Sequence, residues 1–337
     1  MTADAAWHIY RGEGEQHDGI EALPAPPPWR RFDGEVLPGT DVGDGGARSP
    51  RPGIEQRARS YRPDQNVVDL TNASLYLRRP LLVTGKPGTG KSTLAYSIAW
   101  ELGLGPVLYW PVTSRSELKD ALYRYDAVGR FQQANLQRLG QAGPAVTDVA
   151  PFITLGPLGT ALVARPRPRV VLIDEFDKSD IDLPNDLLNV LEEGQFPIPE
   201  LIRETSDEPV TLMCEDSSAA QVRGGIVRCQ AFPIIVITSN GEREFPAAFR
   251  RRCLQLAINE PDAAKLSEIV RTQLGDDALR ETEQLFEDFL SRRDGADLPT
   301  DHLLNAVYLA MSGLAPEGDT RMRIIEALFA RSRPGEP

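Results

Sequence analysis

The chain has 337 residues, 41% hydrophobic and 26% charged, which are ordinary globular values and leave room for two domains with separate cores. A net charge of −12 argues against a dominant attraction to nucleic acid or to an anionic membrane, since both need basic surface. No apolar run approaches the roughly 18 residues of a membrane span, and the opening MTADAAWHIYRGEGE lacks the charged start and apolar core of a signal peptide, so a cytoplasmic protein is expected.

Residues 1–60 are rich in proline, glycine and charge, with APPPW at 25–29 and DVGDGG at 41–46, and sustain neither a period of 2 nor one of 3.6. They should form an irregular arm. Trp7, Tyr10, Trp29 and Phe32 are unusual in a free tail, so part of the arm should pack on the main body. The alternative is a polyproline ligand for an aromatic groove. From Asn66 to Leu77 the apolar spacing suits a helix, ended by Arg78, Arg79 and Pro80.

The stretch 80–102 carries the clearest chemistry. PLLVTG is an apolar strand, GKPGTGKS a loop and TLAYSIAWEL a helix, so Gly85, Gly90, Lys91 and Ser92 fill G-x-x-x-x-G-K-[ST] between a strand and a helix. Glycines let successive N–H groups turn inward onto phosphate oxygens, and the helix N-terminus adds positive potential. Gly85, Lys86, Pro87, Gly88, Thr89, Gly90, Lys91, Ser92 and Thr93 are therefore the candidate ATP-binding residues. Lys91 would hold the β- and γ-phosphates, and Ser92 would ligate Mg2+.

VLYWPV, 107–112, is a second strand, and the connection from 113 to 169 is too long for a plain crossover. Its first part, SELKDALYRYDAVGRFQQANLQRL, has helical pieces broken at Gly129; FITLGPLGTALV suits a short strand or loop with glycine turns. Val170–Ile173 is a buried parallel strand ending in Asp174 and Glu175. Asp174 would hold Mg2+, directly or through water, and Glu175 would polarise the attacking water. LPNDLLNVLEE is an amphipathic helix ended by Gly194. FPIPEL and PVTLMCED are expected as the two strands of a hairpin or as a projecting β element. FPIIVIT is a buried strand running into Ser239–Asn240–Gly241, where Asn-Gly also suits a tight turn. Arg250, Arg251 and Arg252 end a short helix before a last strand at about 254–258; the plain alternative for this cluster is a solvated basic face. After Pro261 four amphipathic segments, AAKLSEIVRTQL, ALRETEQLFEDFLSRR, TDHLLNAVYLAM and MRIIEALFARS, predict a small helical domain. Cys214, Cys229 and Cys253 show no C-x-x-C spacing and are expected to be reduced and at least half buried.

In this order the pieces resemble the AAA+ ATPases. GPLGTALV before VVLIDEFDKSDIDLPNDLLNVLEEGQF, and then FPIIVITSNGEREFPAAFRRRCLQL, resemble the MoxR-type branch. The resemblance covers about Val67 to the C-terminus. It implies an α/β fold: an AAA+ P-loop NTPase core at 61–259, built on a five-stranded parallel sheet in the order 5-1-4-3-2, and a helical lid at 260–337. It also implies that 113–169 holds a helix-2 insert and 195–231 a β-hairpin, both projecting toward the channel of a ring. Asn240 would be the sensor that orients the attacking water. Arg252 matches the arginine of the branch's D-R-F element and would reach a neighbouring subunit's γ-phosphate, with Arg251 as the second candidate. The sequence departs from the branch at Pro299–Thr300–Asp301, where an acid stands in place of the arginine of an S-P-R element; Arg321 and Arg323 are the substitutes at hand.

The implied activity is hydrolysis of ATP to ADP and phosphate with Mg2+, in a homo-oligomeric ring, a hexamer, that remodels or activates a protein partner. Resembling proteins often act beside von Willebrand A-domain proteins. A nucleic-acid motor is a second class, opposed by the acidic balance and the absence of a basic-aromatic stripe. A low-turnover nucleotide switch in a bacterial defence-type system is a third, opposed by the intact acid pair.

Overall fold

The structure is a computed structural model and describes residues 7–41, 53–139, 148–204, 208–293, 298–312 and 319–329. Residues 42–46 of the glycine-rich arm, 140–147 of the long connection and 330–332 of the last amphipathic segment lie outside the described residues, as does the side chain of Arg321. The chain divides into two compact units, residues 1–84 with 92–256, and residues 85–91 with 257–337.

Helices α1 (Ile54–Ser60) and α2 (Gln65–Leu77) precede strand β1 (Leu81–Thr84), and α3 (Lys91–Glu101) leads to β2 (Leu108–Pro111). Helix α1 is a regular element in a stretch whose sequence shows no sustained period, and it exceeds the irregular arm expected there. Helix α2 stops because Arg78 turns left-handed, at φ 52°, and returns its N–H to the carbonyls of Leu75 and Ser74.

The long connection contains α4 (Leu118–Leu122), β3 (Tyr123–Tyr125), α5 (Ala127–Arg138), β4 (Ile153–Leu155) and α6 (Pro157–Ala161). Two expectations are corrected here. The helical run breaks at Tyr123–Tyr125, not at Gly129, because the two tyrosines are β-formers that pair antiparallel with Leu155 and Ile153. Gly129 sits in the first turn of α5, where its N–H is held by Asp126 Oδ1 at 2.8 Å. The second part of FITLGPLGTALV is helical, since Pro157 occupies a first turn whose N–H groups need no partner.

Next come β5 (Val170–Asp174), α7 (Leu183–Glu193), β6 (Gln195–Pro197), α8 (Pro199–Ile202), β7 (Val210–Met213), β8 (Ala219–Val222), β9 (Ile226–Arg228), β10 (Ile234–Ser239), α9 (Ala247–Arg252) and β11 (Leu254–Ala257). FPIPEL and PVTLMCED are not partners in one hairpin. Strand β6 pairs antiparallel with β9, while β7 pairs with β8, and Pro199 opens a short helix where a strand was expected. The local apolar pattern marked strands at Gln195–Pro197 and Val210–Met213 but not the helix at Pro199, and it could not say which strand each would face.

The central sheet has the order β11-β1-β10-β5-β2. Strands β1, β10, β5 and β2 are parallel, with Leu81 beside Val236, Ile234 beside Val170 and Leu108 beside Val171. Strand β10 is buried along its whole length, and β5 over its first four residues. That explains why both read as continuous aliphatic runs, because each face is covered. The shared register brings Thr84, Ser239, Asp174 and Pro111 to one edge of the sheet.

The arm packs on the same unit. Tyr10 is fully buried, with its hydroxyl 2.8 Å from Ser97 Oγ, and the N–H groups of Ile9 and Tyr10 donate to Asn72 Oδ1. At the end of α3, the buried Glu101 carboxylate accepts from the N–H groups of Arg11, Gly12, Glu13 and Gly14 and lies 3.2 Å from His17 Nε2. Phe32 stacks on Phe232, and Trp29 is 76% exposed.

The second unit holds α10 (Ala263–Leu274), α11 (Asp276–Glu281), α12 (Glu283–Arg293), α13 (Thr300–Met311) and α14 (Asp319–Leu328) around Leu266, Val270, Phe289, Leu303, Val307 and Phe329. The run ALRETEQLFEDFLSRR is two helices, not one. Thr282 leaves helical geometry between them while its hydroxyl donates to the Ala278 carbonyl at 2.6 Å.

Candidate nucleotide site

Three positive-φ glycines shape the loop after β1: Gly85 at 157°, Gly88 at 76° and Gly90 at 88°. Gly88 also needs its missing side chain for space. A Cβ there would lie 3.0 Å from Pro299 Cβ and 3.1 Å from the Thr300 nitrogen, at the start of α13 in the same unit. Lys91 Nζ donates to the carbonyls of Gly85 and Lys86, both at 2.7 Å. Thr89 Oγ1 donates to the Lys86 carbonyl at 2.9 Å, and the Lys86 ammonium lies 3.1 Å from Glu260. Pro87, Gly90 and Thr93 complete the loop and the first turn of α3.

In the first unit a cluster forms around Asp174 at the end of β5. Ser92 Oγ donates to Asp174 Oδ1 at 2.7 Å, and Thr238 Oγ1 donates to the same oxygen at 2.6 Å. Tyr109 Oη approaches Oδ2 at 3.4 Å. The next residue, Glu175, is left-handed at φ 57°, ψ 44°, and its N–H donates to Thr238 Oγ1 at 2.9 Å. Its carboxylate pairs with Lys178 Nζ at 2.8 Å, and this bond holds the Lys178 ammonium above its ordinary range.

Asn240 follows β10, and its N–H donates to Asp177 Oδ2 at 2.9 Å; Glu242 N–H donates to the same oxygen at 3.1 Å. Asp177 is buried, so these two bonds fix the turn that carries Asn240. The two candidate arginines lie apart from this cluster in their contacts. Arg252 bonds Glu192 at 3.0 Å and the Ala248 carbonyl at 3.3 Å; Arg251 is exposed, and its carbonyl accepts from Arg79. Asp301 is exposed in the first turn of α13, and Arg323 reaches Thr320 Oγ1 at 3.3 Å.

The structure thus brings Ser92, Asp174 and Glu175 together with two residues that sequence reasoning passed over, Thr238 and Tyr109, and holds Asn240 through a third, Asp177. A signal for Thr238 was present. It is the first polar residue after the buried aliphatic run 234–237, the position where such a strand opens onto its C-terminal end. Asp177, two residues beyond the acid pair, carried no comparable pattern.

A hydroxyl and a carboxylate oxygen 2.7 Å apart fit Mg2+, which takes few protein ligands and completes its shell with phosphate oxygens and water.

No curated protein matches the chain. The family model described as AAA domain (dynein-related subfamily) matches residues 80–253, just over half of the chain. That span runs from the first residue before β1, through the phosphate loop and the acid pair, to the end of α9. With β1, the glycine loop, α3 and the acid-ended β5 in this order, the chain belongs to the AAA ATPases, proteins that bind and hydrolyse ATP.

Proposed function

We propose that this protein is a MoxR-type AAA+ ATPase that assembles as a homo-oligomeric ring and uses ATP hydrolysis to remodel or activate a protein partner. The observation that carries this reading is the joining of Ser92, Asp174 and Glu175 at the end of β5. Further support comes from the central sheet, whose own strands, counted along the chain, run 5-1-4-3-2. The helix α5 and the hairpin β7–β8 would be the elements turned toward the channel of such a ring.

In this mechanism the backbone N–H groups of Gly85, Lys86 and Gly88–Gly90 cradle the phosphates, and Lys91 leaves its two carbonyl partners to neutralise the β- and γ-phosphate oxygens. Ser92 and Asp174 would hold Mg2+, which when bound would supply positive charge against that developing on the phosphate. Glu175 orients the attacking water and takes its proton, and Asn240 steadies that water from the neighbouring strand. Arg252 acts across a subunit interface on the neighbour's γ-phosphate, with Arg251 beside it. The helices α10–α14 form the lid.

Glu175→Gln tests this reading. The carboxylate acts on the water and not on the ground state, so the variant should bind ATP as the parent does and turn over at least about 100-fold more slowly. In the ATP-held form it should sediment as a ring and retain its protein partner through purification. Parent-like turnover would remove Glu175 from the chemistry, and a monomer in saturating ATP would remove the ring.

A further inference from the structure

Thr238 makes two contacts of opposite sense. Its oxygen accepts the Glu175 N–H at 2.9 Å, and since a carboxylate can only accept, its own proton goes to Asp174 Oδ1 at 2.6 Å. Thr238 is 1% exposed, so water does not compete for either bond. The strand register explains the placement. Ile237 lies beside Ile173 in the parallel ladder, so the next residues, Thr238 and Asp174, end as neighbours at the sheet edge.

Glu175 departs from the strand at this point. It adopts a left-handed backbone, which side chains rarely take, and that turn aims its N–H back at β10. Asp174 Oδ1 is gripped from two sides, by Ser92 on the helix after the phosphate loop and by Thr238 on the adjacent strand.

We infer that Thr238 is a positioning residue for ATP hydrolysis, its one hydroxyl setting both the orientation of the Asp174 carboxylate and the backbone turn that aims Glu175. The inference rests on the ATPase reading above and deepens it. Groups that orient a metal-holding carboxylate are worth about 10–100-fold in metal affinity or activity. A hydroxyl that serves two residues at once belongs in that range.

Thr238→Val keeps the β-branched shape in a buried strand and removes only the hydroxyl. In the full chain it should lower kcat about 10–100-fold while KM for ATP stays near the parent value. Mn2+ binding in the presence of ADP, read by electron paramagnetic resonance, should weaken by a similar factor. In the nucleotide-free protein, hydrogen exchange at the Glu175 amide should accelerate. Thr238→Ser should restore all three. Thr238→Ala stands in if the Val variant does not fold; if neither folds while the Ser variant does, the hydroxyl is a packing requirement and the positioning role is overturned. Parent-like kcat and Mn2+ affinity in a folded Val variant also overturn it. Glu175→Gln measured alongside separates the levels. If it is inactive while Thr238→Val is normal, only the role of Thr238 fails; if it turns over normally, the underlying reading fails.

Discussion

Arg252 Nε donates to Glu192 Oε1 at 3.0 Å, and the other oxygen of that carboxylate lies 3.6 Å from Nη1 of Arg30 in the N-terminal arm. Glu192 stands in the last turn of α7, where a negative charge faces the negative end of the helix dipole. Two guanidinium groups offset that. The Arg30 side chain is buried, bonds the Arg78 and Leu191 carbonyls and lies over the rings of Phe32 and Phe232, so it is fixed. Arg252 and Glu192 are each nearly half exposed, and an exposed pair of this kind contributes less than about 1 kcal/mol. Arg252 can therefore exchange Glu192 for a phosphate at small cost.

If Arg252 acts on a neighbour's nucleotide, turnover per subunit should rise with protein concentration as the ring forms. Arg252→Ala should bind ATP and lose about 10³–10⁵ in rate, the range of arginines supplied in trans. Mixing it with Lys91→Ala, which should not bind nucleotide in calorimetry, should recover part of the activity. Each variant supplies across an interface what the other lacks. Turnover independent of concentration in a sample shown to be monomeric by sedimentation would exclude a trans arginine.

The arm should be an integral part of the first unit. Glu101→Ala would leave the buried N–H groups of Gly12 and Gly14 and the partly buried ones of Arg11 and Glu13 without their acceptor. Stranding buried donors costs about 1–3 kcal/mol each, less where water enters, so a loss of about 2–4 kcal/mol in unfolding free energy is expected. Urea titration measures that loss, and faster proteolysis within residues 7–41 should accompany it. An unchanged denaturation midpoint would show that the arm adds nothing to stability.

The three thiols should be inert in the native protein. Burial pushes the Cys229 and Cys253 thiols up to about 12 and raises that of Cys214 as well. At pH 8 the thiolate fraction of a group near 12 is about 10⁻⁴, and the thiolate is the reactive form. A thiol reagent should titrate all three in denaturant and react slowly without it. Raising the pH toward 10 should speed the native reaction in proportion to thiolate. Rapid modification of the folded protein at pH 8 would contradict the burial.

The phosphate loop and the acid pair were legible because each is a covalently local pattern. Gly85, Gly90, Lys91 and Ser92 must be adjacent wherever the chain goes, and four aliphatic residues before Asp174 describe a strand buried on both faces whatever its partners are. The five-stranded order was expected from resemblance and not from periodicity, which carries no pairing information. The break at Tyr123–Tyr125, the pairing of β6 with β9 and the helical start at Pro157 were missed for one reason. Short elements take the form that their distant neighbours can satisfy, and a local propensity worth a few tenths of a kcal/mol does not decide it.

What the sequence determined by itself was pattern carried on neighbouring residues: a glycine-rich turn ending in Lys91 and Ser92, a carboxylate pair and a helical C-terminal region. What only the tertiary structure decided was which polar group meets which. Thr238 reaches Asp174 across 64 residues, four arm N–H groups converge on Glu101 from more than 80 residues away, and Arg252 meets Glu192 across 60. Buried donors and acceptors must be paired, but many pairings would satisfy that requirement on paper. The choice among them is made by the sheet register and the packing of the arm, which exist only once the chain has folded.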